Sequence, residues 1–533
     1  MTLAIIGDPI TVFPGIDQRQ ASASAELQSL VNANLTRSDH EDILYPQLAE
    51  AVPSAENGLW RVFPDGTMET TWRLHPGATW HDGTPVTVAD FLFTLKVLQD
   101  KELPLAGSQV YGYIEGARQS DSRTMIVQWN RVYIGADALA LVPIPRHLVE
   151  AAYNENKLGL LELPVWGTEA VGTGPYRVQQ FERGSHALLQ AFDGYVFGRP
   201  KIDTIMAKFI QDQNTLAANV LAGAVDATIG RGLSIEQAVQ IRNQWPQGRI
   251  ADLLYHSWVR IHPQFINPTP AVILEVPFRQ ALLHAIDRQQ IIDSVQEGVG
   301  AISEIGLSIN SPYYAAIGPS VVQHPYDQRK AAQLLDGLGY TRGPDGFLLD
   351  RSGQRLSVEL RTTQDNAARL KALVIVADDW QKAGVGVVQS ITPAQLQGDR
   401  AYRQDRPGFE INRVGATLDG LAAYHSRSIQ TAANNYRAPG GGTNYPRYGN
   451  AELNDLIERF ERTIPLSERL NVAAQAFHHM TSLVVQLGLY YDVQPVMVDN
   501  RISRNFLGYT WDAHEWDLAL TSSVVDYMSA STH

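Results

Sequence analysis

Few residues of this chain are spaced for chemistry. His81 and Asp82 are adjacent, and a histidine beside a carboxylate can work as a base with its orienter. They stand in a turn rich in Gly and Pro, where a structural role is expected. His478 and His479 are also adjacent; on a helix they point to different sides and cannot share a metal. His284 lies on or beside the apolar face of its helix and reads as a packed histidine. The glycines of Gly172-Thr173-Gly174-Pro175 suggest a phosphate cradle, but such a loop needs a helix behind it. Here Tyr176 to Phe181 alternates like a strand. No H-E-x-x-H, G-x-S-x-G or G-x-x-x-x-G-K-[ST] occurs. The absence of cysteine removes disulfides, thiolate metal sites and cysteine nucleophiles together. No cofactor or metal is expected, and a hydrolase built on His81 and Asp82 is the remote alternative.

The elements that must position any site are an α/β set. Residues 71–74 read as a strand, and Thr87 with Asp90 resembles a capping box before the apolar positions Val88, Phe91, Leu92 and Leu95. Val86 and Phe91 are placed as a hydrophobic staple. Residues 60–72 read as a hairpin turning at Pro64-Asp65-Gly66, and 121–129 as a further strand. Residues 277–295 show one helical face through Phe278, Ala281, Leu282, Ala285 and Ile286. Asp327 can cap the next helix and Gly339 can end it. Residues 356–360 form a strand, Asp365 caps a helix closed by Gly384, and 385–388 form another strand. That order builds parallel neighbours in an α/β lobe. A long amphipathic helix is expected over 467–485. The one glycine cluster, Gly440 to Gly442, lies in a loop.

Composition sets bounds. At about 150 residues per domain, 533 residues suggest two to four domains. With 44% hydrophobic and 19% charged residues there is apolar material for real cores. The net charge of −13 argues against nucleic acid or an anionic membrane as partner. No apolar run reaches the ~18 residues of a membrane span. The N-terminal residues lack the basic and apolar regions of a secretory signal and read as a core strand ending in a turn.

The order of residues adds more. Trp72-Arg73-Leu74-x-Pro76-Gly77-x-x-Trp80-His81-Asp82-Gly83-x-Pro85-Val86-Thr87-x-x-Asp90-Phe91 resembles the signature segment of the family 5 extracellular solute-binding proteins, the peptide- and nickel-type receptors of ABC importers. Tyr45 to Ser54, the Gly172-Thr173-Gly174-Pro175-Tyr176 motif and Arg279-x-Ala281-x-x-x-Ala285-Ile286-Asp287-Arg288 resemble further family segments. The resemblance implies a two-lobed α/β fold, periplasmic-binding-protein-like (type II), with a hinge crossed by two chain segments and an extra inserted domain. Mapped onto this chain, lobe I is 1–38, 168–255 and 500–533, the extra domain 39–167, and lobe II 256–499. It implies an extracytoplasmic, monomeric receptor that captures a peptide-like or other small-molecule ligand and delivers it to ABC transporter permease subunits. Oligosaccharides and nickel complexes are the alternative ligands. An export signal, and any lipid-bearing cysteine, would precede Met1.

Family peptide receptors hold the ligand amine with an aspartate in a G-x-x-x-D context after a strand. Gly415-Ala416-Thr417-Leu418-Asp419 matches that context, which makes Asp419 the leading ligand residue, with Gly415 and Thr417 beside it. Asp419 can equally be a helix N-cap for a segment starting at Leu421. The usual Trp in the strand and the D-P after the aspartate are missing; Gly420 follows. Pro14 and Gly15 match a turn that borders the family pocket. Arg413 and Arg361 end strands near the implied cleft and could meet an acidic group. Tyr111 and Tyr113, in the extra domain, could stack on a ligand or pack inside. Asn435 and Asn444, in the Gly-rich loop, offer amides to peptide backbone or sugar hydroxyls.

Overall fold

A computed structural model describes residues 1–14, 16, 24–39, 43–105, 109–139, 141–230, 232–364, 366–437, 443–504, 506, 508–510 and 512–518. Two large sheets organise it. One has seven strands, in the order Gly248–Leu254, Gln494–Asp499, Ala227–Thr228, Thr2–Ile6, Thr204–Ile210, His186–Ala191 and Tyr176–Glu182. The other has five: Gly386–Thr392, Ser357–Thr363, Phe409–Gly415, Ser257–Pro263 and Leu487–Tyr491. A third, antiparallel sheet joins Trp60–Val62, Met68–Arg73, Thr124–Trp129 and Ile114–Asp121. Among the described residues no helix is long and apolar enough to cross a membrane.

The five-stranded sheet shows why the α/β reading works. Ser357–Thr363 and Gly386–Thr392 pair in parallel, and the helix Ala367–Lys382 makes the crossover. Val358 and Leu360 bury one face, and Leu373, Val376 and Trp380 of the helix bury against it. Asn366 caps this helix by accepting from Arg369 N at 2.9 Å; Asp365 lies outside the described residues, as do Gly15 and Gly440 to Gly442. Asp327 caps its helix as expected. The helix expected over 277–295 is two, Val276–Ala285 and Arg288–Gln296. The chain is extended at Ile286, and Asp287 caps the second helix through Gln290 N.

The two large sheets are joined by a two-stranded ribbon. Gly248–Leu254 pairs antiparallel with Gln494–Asp499 in one sheet. Their continuations, Ser257–Pro263 and Leu487–Tyr491, pair antiparallel in the other. Only Tyr255-His256 and Asp492-Val493 lie between. The crossing therefore comes at 492–493, not at the boundary of 500 expected above. Val496 and Val498 belong to the first core, in register with the strand Gly248–Leu254, and this fixes them on that side.

The signature segment ties the small sheet to the seven-stranded lobe. The Asp90 carboxylate accepts from Thr87 N and from its hydroxyl at 2.8 and 2.9 Å. Val86 and Phe91 are buried in one cluster, as a staple requires. In the helix Val88–Gln99, Phe91 and Leu95 join the core of the small sheet, while Phe93 and Val97 join the core of the first lobe. Burying each Phe stabilises this junction by about 2 kcal/mol. Gly172 and Gly174 form a close chain crossing. A Cβ on Gly172 would lie 2.1 Å from the Val31 carbonyl oxygen, and one on Gly174 2.5 Å from the Val31 carbonyl carbon.

Candidate functional site

Asp419 is set where the small domain meets the five-stranded lobe. The strand Phe409–Gly415 ends beside the ribbon, and Ala416 is pinned there: its N donates to His256 O, and its O accepts from Ser308 N, both at 2.9 Å. A 3-10 helix, Leu418–Tyr424, follows. Leu418, Leu421 and Tyr424 turn inward and leave Asp419 outward. The helix starts before Asp419, and no backbone N–H uses its carboxylate, so the capping role at Leu421 is not what this side chain does. Asp419 is exposed to solvent at this junction, with the small domain on its facing side. The lost hydration pushes its carboxyl above the usual range, opposed by the charge of Arg469.

The facing wall comes from the small domain. Its turn Ile134–Ala138 carries Asp137, which burial pushes up to about 6, with Arg469 opposing and Asp419 adding to the shift. Burial also raises the Tyr133 phenol, and Asp419, Glu461 and Asp137 all add to that rise. The Tyr133 ring lies 5.3 Å from that of Tyr113 and 5.8 Å from that of Trp129. Arg131 sits 4.8 Å over Tyr113 and 3.7 Å from Glu461, which also pairs with Arg427. Ile134 is buried in the apolar cluster of Leu453, Leu456 and Ile457 across the gap. Two groups of charge result. Asp137 and Asp419 share Arg469, an excess of one carboxylate. Arg131 and Arg427 share Glu461, an excess of one cation.

The other expected site residues scatter. Thr417 occupies the N-cap position of the Asp419 helix, and Gly415 is exposed at the end of the strand before it. Tyr113 belongs to the aromatic face, and Tyr111 beside it is raised to about 12 by burial. Arg413 meets an acid of the chain itself, pairing with Asp492 of the ribbon and donating to Ser257 Oγ at 2.7 Å. Arg361 does not reach a cleft. It is 2% exposed and spends its guanidinium on Glu410, at 3.0 Å, and on the carbonyls of Tyr402 and Arg403. Its strand end points under the sheet, where Glu410 has to be neutralised. Asn444 is 0% exposed and ties a loop, its Nδ2 donating to Tyr424 O and Tyr448 O at 2.9 Å each. Asn435 is exposed in a left-handed turn, apart from these groups. Pro14 is half-buried beside Val12, whose N donates to Trp166 O. The neighbouring Thr11, Ile16, Trp166, Phe181 and Arg183 line a cavity of ≈ 510 Å³, and no residue around Asp419 lines it.

Asp137, Tyr133, Arg131, Arg427, Glu461 and Arg469 carry no local sequence signal; only the fold assembles them. His81 is not a base. Its Nε2 donates to Gly174 O and its Nδ1 accepts from Gly172 N, both at 3.1 Å, and burial pushes it down to about 4. Asp82 pairs instead with His147, at 2.7 Å. Among the described residues, no group of three or more His, Asp or Glu is arranged to hold a metal ion.

Comparison with known proteins agrees with this architecture. The chain is 24% identical over 478 residues to the oligopeptide-binding protein AppA of Bacillus subtilis, covering 86% of this chain and 80% of AppA. The structure of that AppA with a nonapeptide superposes with a TM-score of 0.72, at 21% identity, over 97% of this chain and 98% of the other. NikA from Brucella suis, in complex with Fe(III)-EDTA, superposes at 0.79, with 18% identity, over 97% and 100% of the two chains. The fold is the two-lobed, hinged α/β fold of type II periplasmic binding proteins. The family model for bacterial extracellular solute-binding proteins, family 5 (Middle), matches residues 44–435, so the chain belongs to that family of ABC-import receptors, which act outside the cytoplasm.

Proposed function

We propose that this receptor captures a peptide-like zwitterion between the small domain and the five-stranded lobe, without turning it over, and hands it to an ABC permease. One observation carries the reading. The carboxylates Asp137, Asp419 and Glu461 all bear on the single phenol of Tyr133; Asp137 and Asp419 have Arg469 as their shared cation, whereas Glu461 pairs with both Arg131 and Arg427. An ammonium suits the group of Asp137 and Asp419 and a carboxylate that of Arg131 and Arg427, since charge-assisted hydrogen bonds are the strong ones. Tyr113 and Tyr133, the latter backed by the buried Trp129, supply flat apolar area between them. The nonapeptide bound by AppA is consistent with this choice.

The test begins with native mass spectrometry of protein purified without denaturation, to weigh any captured solute. A thermal-shift screen then compares di- to pentapeptides, cello- and manno-oligosaccharides, and Ni²⁺ with small chelators. A ligand bound only by the folded form should stabilise it by about 2.7 kcal/mol at a hundredfold excess over Kd. Shifts with peptides support the reading. A clear shift with a sugar or a metal chelate, beside none with any peptide, would replace it.

A further inference from the structure

The second face of the five-stranded sheet is polar, yet it is covered by protein. On the strand Ser257–Pro263, Val259 and Ile261 enter the apolar core, so alternation places Trp258, Arg260 and His262 on the opposite face. In the register with Phe409–Gly415, Asn412 stands opposite Arg260 and Glu410 opposite His262. All four polar residues are buried.

Their donors exceed the acceptors around them. Arg260 forms no ion pair among the described residues. It donates once, to the Tyr424 hydroxyl, and lies 5.3, 5.5 and 6.0 Å from the rings of Trp258, Tyr424 and Tyr445. Its Nε has no acceptor. Asn412 Oδ1 accepts from Arg413 N, which fixes the amide, and its Nδ2 has no acceptor. His262 is stacked on Tyr445, and neither ring nitrogen has a partner; Glu410 Oε2 is 4.0 Å from Nε2, beyond a hydrogen bond. Arg406, behind it, donates to the carbonyls of Pro263 and Tyr445, and its Nε is also without an acceptor. Arg260, Arg361, Arg403 and Arg406 all bear on His262, while Glu410 is the one buried carboxylate there and is shared by Arg361 and Arg403. Buried charge of one sign, with unused N–H groups, is costly unless something of opposite sign compensates it.

We propose that this face binds a small inorganic monovalent anion of halide size, held by Arg260 Nε, Asn412 Nδ2 and the ring N–H of His262. Arg260 Nε and Asn412 Nδ2 can only donate, which suits an anion, and a neutral His262 adds one ring N–H. The depth of the site favours a bare ion over a carboxylate that must bring a carbon body with it. Tyr424 links the anion to the ligand site: it receives the Arg260 hydrogen bond and ends the 3-10 helix that carries Asp419. Occupancy therefore stiffens that helix.

The test follows Tm in sodium gluconate as chloride or bromide replaces gluconate at constant sodium. A saturable rise with either halide is expected. Asn412→Asp sets a carboxylate beside Arg260. It should abolish the halide-dependent rise, and its Tm without halide should equal or exceed that of the parent without halide. Crystals of the parent soaked in bromide should show an anomalous peak within hydrogen-bond distance of Arg260 and Asn412, which decides the matter even if the variant fails to fold. Equal Tm in chloride and gluconate would overturn the proposal. So would a halide rise that persists in Asn412→Asp, or a rise with acetate but not with halide, which would assign the site to a carboxylate ligand.

Discussion

At Asp419 a solvent-exposed carboxylate stands without a hydrogen bond from the described residues, next to one arginine that it shares with Asp137. If a ligand ammonium completes this arrangement, Asp419→Asn leaves that ammonium buried and unpaired, and binding should weaken by about 2–5 kcal/mol. Stability should hardly fall, because the carboxylate is already held above its ordinary pKa at a cost. Calorimetry with the ligand found by the screen, alongside denaturant unfolding, checks both. Equal affinity of parent and variant would remove Asp419 from the site. His81 supports a prediction about pH. Its folded pKa is depressed to about 4, so between pH 6.5 and 4 the unfolded chain binds a proton that the folded chain refuses. Its contribution is complete above pH 6.5 and is lost as pH falls, by up to about 3 kcal/mol. His81→Gln should be less stable than the parent at pH 7, and the gap should narrow towards pH 4 in unfolding curves. A constant gap would show that His81 does not titrate this way.

At the scale of elements, Gly174 shows how local sequence and tertiary crossing meet. Its N donates to Val31 O at 2.8 Å, and an added Cβ would strike the Val31 carbonyl. Gly174→Ala should cost about 1–3 kcal/mol in urea unfolding, since backbone on both sides must move. Loss within error of zero would mean that the crossing has slack. The same comparison shows what was legible. The capping and staple residues of the signature helix, the Asp327 cap and the parallel strand–helix–strand unit were readable, because each is set by neighbours within a few positions. The break at Ile286 was not, because Ile291, Ile292 and Val295 continue the burial across it. Alternation placed Arg361 and Arg413 at strand ends but could not name their partners, Glu410 and Asp492, which lie 49 and 79 residues away. For the same reason Asp137 and Arg469 drew no notice. Nothing near either residue in sequence marks it, and the proposed site forms only once the small domain faces the lobe.

Across the whole molecule, the small domain closes on the five-stranded lobe through Ile134 and the Arg131–Glu461 pair. Ile134→Ser removes most of that apolar contact and should weaken ligand binding by about 1–2 kcal/mol. It should also enlarge the ligand-free particle in small-angle scattering, while the ligand-bound size stays that of the parent. Unchanged affinity and size would mean that Ile134 has no share in closure. The ribbon at Tyr255-His256 and Asp492-Val493 has a consequence for biogenesis. Among the described residues, the strand Gln494–Asp499 is the only sheet neighbour of Gly248–Leu254 and the outer neighbour of Ala227–Thr228. All the strands of the five-stranded sheet are synthesised before it. Leu487–Tyr491, the edge strand of the five-stranded sheet, is made just before it, so a growing chain can pair the other four strands of that sheet early, while the seven-stranded sheet stays split into two pieces until Gln494–Asp499 emerges. Such long-range closure is slow to fold. A nascent chain of this topology remains open for most of its synthesis, a state in which it can still be threaded through a membrane channel.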